Sequence, residues 1–182
     1  MSLGSSPGSV ILLSGPPGAG KTTLAARLGA GFERAVHLRT DRFFDAIVAG
    51  YIEPWLPESH AQNVACVTAA ARCAATFAHA GYTVVVDGVI LPWARDIYAA
   101  EFAAEGVGWR LAALLPSADT VVARGLARTY GRKATLGEAT YREMHAQFSA
   151  AYAGAAVLLN TTELDEAQSL AALRALVDEH SA

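Results

Sequence analysis

Cysteine is scarce in this chain: two among 182 residues, Cys66 and Cys73, so no disulfide framework arises. The two stand seven apart in an alanine-rich stretch that reads as helix, which places them on one face about 10 Å apart, beyond disulfide reach. Both are expected to act as small buried hydrophobes, and nothing points to an oxidising compartment. Positive charge is scarce as well. Lys and Arg number 14 against 17 Asp and Glu, for a net charge of −3, and the pI is near 5.9. No overall field therefore favours nucleic acid, and such a partner is not expected. No apolar run reaches the roughly 20 residues of a membrane span, so no membrane segment is expected. Residues 1–9, MSLGSSPGS, lack the charged and apolar regions of a signal peptide and read as a disordered leader or expression remnant. The expected location is the cytoplasm.

What the chain has in quantity is apolar residues, 53% of the total with much alanine, enough to bury a substantial core at this length. Val10–Ser14 is a β-branched and leucine run that stops at Gly15, the pattern of a buried strand entering a turn. From Lys21 the period becomes helical: Leu24, Ala25 and Leu28 share a face, and Gly29 and Gly31 end it. Ala35–Leu38 reads as a second strand. A polar and aromatic segment then runs from Asp41 to the Pro54, Trp55, Pro57 cluster. Ser59 is expected to cap a long helix ending near Ala80, with Gly81 as its stop. Thr83–Val86 has the continuous β-branched character of a central parallel strand covered on both faces, and it ends at Asp87-Gly88. Pro92 opens a helix closed near Gly106, Trp109–Leu115 is a strand, and Ser117 caps a helix through about Thr129. The apolar pattern lapses between Tyr130 and Gly137. Glu138–Ala151 is helical again and Ala156–Leu159 is the last strand. Thr162 is expected to cap a terminal helix with Glu163, Asp165 and Glu166 in its first turn. Five strands alternating with helices predict an α/β fold of three layers around a five-stranded parallel sheet. Residues 10–182 form a single expected domain.

Residues 15–22, Gly15-Pro16-Pro17-Gly18-Ala19-Gly20-Lys21-Thr22, match G-x-x-x-x-G-K-[ST] in full. The glycines let the backbone curl so that successive N–H groups converge on phosphate oxygens. The helix beginning beside Lys21 adds its positive end. Lys21 brings a point charge to the β- and γ-phosphates of ATP, and the Thr22 hydroxyl offers a ligand to Mg²⁺; Thr23 continues the cradle. A strand precedes the loop and a periodic helix follows it, the context the motif requires. Together these predict a P-loop NTPase fold.

Asp87 ends the strongest strand, at the carboxyl edge where α/β folds bind ligands, and is a candidate to organise Mg²⁺ with Thr22. The position after it carries Gly88, where hydrolytic P-loop machines commonly place a glutamate. Ile90 occupies the glycine position of Asp-x-x-Gly, and there is no Asn-Lys-x-Asp for guanine. These absences point away from programmed hydrolysis and toward transfer to an acceptor. Asp41, just beyond the second strand, is a candidate to take the acceptor's proton; the alternative is a helix N-cap ahead of Arg42-Phe43-Phe44. Arg124, Arg128 and Arg132 recur every four residues and lead into a segment, about 128–138, suited to a short helical lid that closes on transferring phosphate. Aromatic and polar residues from Phe43 to Asn63, among them Tyr51, Trp55, His60 and Gln62, are candidates for the acceptor pocket, with Trp93 and Arg95. His145 is expected to be structural or exposed.

The loop GPPGAGKTT, the segment TDRFF about twenty residues on, the strand VVVDG and the spaced arginines together resemble the small P-loop kinases. That group includes gluconate kinase, shikimate kinase, chloramphenicol phosphotransferase, polynucleotide kinase and zeta toxins. The likeness runs from Val10 onward and is nearest to AAA-type ATP-binding proteins of bacterial genomes. It implies an acceptor base at Asp41, lid arginines at Arg124 and Arg128, and an adenine border at Asn160 and Thr161. The glycine-rich acceptor motif of shikimate kinases is absent around Asp87-Gly88. The expected activity is an ATP- and Mg²⁺-dependent phosphotransferase acting on a hydroxyl of a small molecule. A nucleotide-gated binding module, a polynucleotide 5′-kinase and a zeta-toxin-like nucleotide-sugar kinase stand as alternatives.

Overall fold

A computed structural model of the chain describes residues 8–127, 136–155 and 157–179. The β-branched runs form the strands β1 (Val10–Ser14), β2 (Ala35–Arg39), β3 (Thr83–Asp87), β4 (Trp109–Leu114) and β5 (Leu158–Leu159). They make one sheet in the order β2-β3-β1-β4-β5, every pair parallel. Among the described residues seven helices, α1 (Lys21–Gly29), α2 (Asp41–Asp45), α3 (His60–His79), α4 (Pro92–Glu105), α5 (Ala118–Leu126), α6 (Glu138–Ala151) and α7 (Glu166–Glu179), alternate with the strands, and Pro57–Ser59 forms a 3-10 turn.

Strand parity sorts the core into two layers. Val10, Leu12, Val84 and Val86 face α3 and α4, where the alanines at 70, 71, 74, 75 and 78 let that helix lie close to the sheet. Ile11, Leu13, Val85, Ala112 and Leu114 face α1 and α7. β1 is buried along its whole length, and the sheet's central position explains its uninterrupted apolar sequence. Hydrogen bonding to this framework reaches back past Val10: Gly8 N–H donates to Ala78 O at 3.1 Å and Val84 N–H to Ser9 O at 2.8 Å. Cys66 and Cys73 are free thiols on α3, and burial of Cys66 pushes its thiol pKa up. Among the described residues no helix is long and apolar enough to cross a membrane.

Several local expectations are corrected. Ser59 stands at the N-cap of α3 but caps no backbone N–H; its hydroxyl lies 2.7 Å from Leu56 O and receives Asn63 Nδ2–H at 2.9 Å. The cap of α7 is Asp165, not Thr162. Asp165 Oδ1 accepts Gln168 N–H at 2.8 Å while Gln168 Oε1 accepts Asp165 N–H at 3.0 Å, a reciprocal capping box. Thr162 instead accepts Ser117 N–H through Oγ1 at 2.7 Å, and Glu163 lies ahead of the helix. Ser117 does cap α5, accepting Thr120 N–H. That helix ends at Leu126, short of the expected Thr129. The polar and aromatic segment after Thr40 opens with the five-residue helix α2, whose N-cap is Thr40 and whose first residue is Asp41.

Candidate functional site

The phosphate loop leaves β1 at Ser14 and enters α1 at Lys21. Gly15, Gly18 and Gly20 have φ of +150°, +90° and +93°, values that side-chain-bearing residues rarely adopt. Crowding reinforces the choice of glycine. A Cβ at Gly15 would stand 2.6 Å from Leu114 O, and one at Gly18 would stand 2.5 Å from Val121 O. The loop is thus pinned between β4 and α5. Pro16, Pro17 and Ala19 are buried with it, and Gly20 precedes a helix start that no side chain caps. Such a start presents converging N–H groups and the positive helix end, so the loop fits a triphosphate. Lys21 is buried and Nζ donates to the carbonyls of Gly15 and Pro16 at 2.8 and 2.9 Å, which holds its charge against the loop. Thr22 is half-buried and Thr23 exposed on the first turn.

Asp87 lies beside the loop because β3 pairs with β1, with Leu13 opposite Asp87. It is 3% exposed, and its Oδ2 accepts His37 Nε2–H at 2.9 Å. His37 comes from β2, and the sequence reading missed it. Its only signal is an in-register histidine in a short apolar strand, and cross-strand register is not legible from one strand. The Asp87 carbonyl accepts two further bonds, from Thr40 N–H and Thr40 Oγ1–H, both at 3.0 Å. Those bonds fix the start of α2 and therefore Asp41, its first residue, whose N-cap is Thr40. An aspartate in that first turn also meets the positive helix end.

Arg124 is exposed on α5, and its Nη1 would lie 4.0 Å from a Cβ at Gly20, which puts the guanidinium over the loop. Arg128, Arg132 and most of the expected lid lie outside the described residues. Asn160 is exposed and its Oδ1 accepts from Thr162 N–H and Oγ1–H; Thr161 is buried, and its Oγ1 has no partner among the described residues. Through Thr162 and Ser117 this segment is tied to the helix that flanks Gly18.

Next to the loop opens a cavity of about 600 Å³ whose lining includes Pro17, Asp41, Met144 and Gln147. Tyr51, Trp55, His60 and Trp93 line it, together with Phe44 and Asn63. Phe43 packs into the core layer under α3 instead. Gln62 does not line it: its amide clamps Ile52, Oε1 accepting from N–H at 2.8 Å and Nε2 donating to O at 2.7 Å. Arg95 turns outward to Asp96 at 2.7 Å. His145 lies 2.9 Å from Pro116 O, a structural contact. Arg39 and Tyr98 are lining residues the sequence reading missed.

A glycine-built loop between a central parallel strand and its helix, with an aspartate closing the adjacent strand, defines a P-loop NTPase fold. A family model described as an AAA domain matches residues 10–151, and the chain belongs to that family. No curated protein sequence matches it. Among solved structures, the fold is shared with an unliganded sugar kinase from Janibacter sp. HTCC2649 (TM-score 0.70, 16% identity, 94% of this chain and 95% of that one). It is also shared with a gluconokinase from Sinorhizobium meliloti 1021 (0.67, 16%, 95% and 95%). A third is the Mycobacterium tuberculosis APS kinase CysC in complex with AMPPNP and APS (0.65, 16%, 94% and 98%).

Proposed function

We propose that the protein is a phosphotransferase that carries the γ-phosphate of Mg²⁺-ATP to a hydroxyl of a small molecule. The observation behind this reading is continuity: one cavity is lined both by Pro17 of the phosphate loop and by Asp41. An acceptor in that cavity lies alongside the donor site instead of across the molecule from it. Lys21 and the loop amides would hold the phosphates, and Thr22 with Asp87 would hold the metal, which supplies charge neutralisation on the β- and γ-oxygens. His37 keeps the Asp87 carboxylate oriented. Asp41 takes the acceptor's proton as the new O–P bond forms and ADP leaves with the old one. Arg124, and Arg128 from the lid, stabilise the charge on the transferring group, while Asn160 and Thr161 border the adenine. Two free cysteines suit a cytoplasmic enzyme.

The test separates donor from acceptor. Lys21→Ala is expected to abolish ATP binding, measured by calorimetry. Asp41→Asn is expected to keep nucleotide affinity and to lower transfer by about 10²–10⁴-fold, the ordinary worth of a general base. A thermal-shift screen with an ATP analogue and Mg²⁺ against sugars, sugar acids, aminoglycosides, nucleosides and phenicols finds the acceptor for that assay. Full turnover in Lys21→Ala, or ATP consumption indifferent to any alcohol, defeats the reading.

A further inference from the structure

Among the described residues eight large apolar side chains are exposed, and four of them, Trp55, Leu56, Val89 and Trp93, line the same cavity. Single exposed hydrophobics are ordinary, whereas a cluster around an opening marks a binding groove. His60 stands edge-on to Trp93, with ring centroids 5.9 Å apart and planes at 62°. The rim is therefore aromatic. Beneath it lie polar side chains as well, among them Asp41, Tyr51, Asn63 and Tyr98. Four buried side-chain atoms have no hydrogen-bond partner among the described residues, and three of them, Arg39 Nε, Asn63 Oδ1 and Tyr98 Oη, belong to residues lining this cavity.

The chemistry of the last two is fixed by their surroundings. Asn63 Nδ2 donates to Pro54 O at 2.8 Å and to Ser59 Oγ at 2.9 Å, so only the oxygen of that amide remains, an acceptor. Tyr98 is fully buried, and burial together with the Asp87 charge pushes its pKa up, which keeps the phenol protonated as a donor. Buried polar groups are nearly always paired, and unpaired ones gathered beside one cavity need a reason. An open-chain polyol could pair its hydroxyls with these polar groups but would leave the aromatic side chains at the opening without a ring to contact. A ring-bodied alcohol would also use these polar groups and would add aromatic contacts with Trp55, Trp93 and His60.

We propose that this cavity takes, as acceptor, an alcohol carried on a planar ring system, with an N–H or O–H donor for Asn63 Oδ1 and an acceptor for the Tyr98 hydroxyl. The proposal rests on the reading of this cavity as the acceptor site. Nucleosides and aryl alcohols share the chemistry, and separate arms of the test distinguish them. Uridine and 4-(hydroxymethyl)benzamide are titrated into the full chain by calorimetry and tryptophan fluorescence, against gluconate and sorbitol. At least one ring alcohol is expected to bind tenfold or more tighter than either polyol; uridine leading indicates a nucleoside, the benzamide an aryl alcohol. For the leading ligand, Tyr98→Phe is expected to raise Kd about tenfold while raising Tm by about 2–4 °C, because it deletes an unpaired buried hydroxyl. A packing role would not give that opposed pair of effects. Trp93→Ala, on the rim, is expected to raise Kd without moving Tm. Tighter binding of gluconate or sorbitol, or a Tyr98→Phe protein with lower Tm and unchanged Kd, overturns the proposal. Ring alcohols that bind but are never phosphorylated with Mg²⁺-ATP leave ring recognition standing and defeat the phosphotransferase reading. Phosphorylated gluconate without ring binding does the reverse.

Discussion

Gly88 has room for hydrogen alone. A Cβ there would stand 2.3 Å from Thr40 Oγ1 and 3.0 Å from Thr40 Cγ2. The absence of a water-activating glutamate after Asp87 thus has a packing cause: Thr40 occupies that space, and its two bonds to the Asp87 carbonyl hold Asp41 in place. Any side chain at 88 must displace Thr40 and move the start of α2. Gly88→Ala is expected to cost about 1–3 kcal/mol, the usual range for overpacking. Thr40→Ala removes both clashing atoms, so the double variant is expected to be less destabilised than the sum of the two single ones. Urea denaturation of the four proteins checks this. A strictly additive cycle would mean that the two positions do not share the space. Lys21, Thr22 and Asp87 were legible from the sequence because a contiguous motif and a strand end mark them. His37, Arg39 and Tyr98 were not, since each reaches the site only through cross-strand register or the packing of α4.

At the scale of elements, the same division holds. The strands and long helices announce themselves by β-branched runs and by alanine periodicity, and both core layers follow from strand parity. Element ends depend on which of several polar side chains reaches a free N–H, and here local chemistry competes. Before α7, Thr162 and Asp165 both fit the N-cap type. Thr162 is drawn off by Ser117 N–H, while Asp165 gains the reciprocal partner Gln168 three residues on. α5 stops at Leu126 against α6, where Gly125 lies under the Tyr141 ring; a Cβ at Gly125 would come within 2.5 Å of it, and Tyr141 Oη–H donates to Gly125 O at 3.2 Å. This contact fixes the helix that carries Arg124. The cap is the cleaner experiment. Asp165→Ala is expected to lower stability by about 1 kcal/mol, read by chemical denaturation, because it leaves a first-turn N–H without its partner. Thr162→Val, which leaves the capping box intact, is expected to spare α7. Its effect should fall on the Ser117 end of α5, seen as faster amide exchange there.

Across the whole molecule, the phosphate-loop edge of the sheet is well paired, whereas three side-chain atoms of residues lining the cavity have no partner among the described residues. β1 and β3 share a parallel ladder, and Ser14 Oγ, where the loop begins, donates to Ile90 O at 2.8 Å and accepts Ile90 N–H at 3.0 Å. Tyr98, under the cavity, has no such partner for its hydroxyl among the described residues. Its raised pKa links this local feature to global stability. In the unfolded chain a tyrosine ionises near 10. In the folded protein burial, and then the Asp87 charge, hold Tyr98 protonated to higher pH. Above about pH 10 the unfolded chain has therefore lost a proton that the folded protein keeps, so ionisation favours unfolding and stability falls as pH rises. The contribution is fully present below pH 10 and declines by at most about 1.4 kcal/mol per pH unit above it. Other groups titrate in the same range, so the comparison is made against Tyr98→Phe, which lacks the phenol. The variant's advantage in stability is expected to be constant from pH 7 to 9 and to widen between pH 10 and 11, measured by urea denaturation at each pH. An advantage that stays flat through that window would mean that the Tyr98 hydroxyl ionises as readily in the folded protein as in the unfolded chain, and the cavity floor would then be wetter than its burial implies.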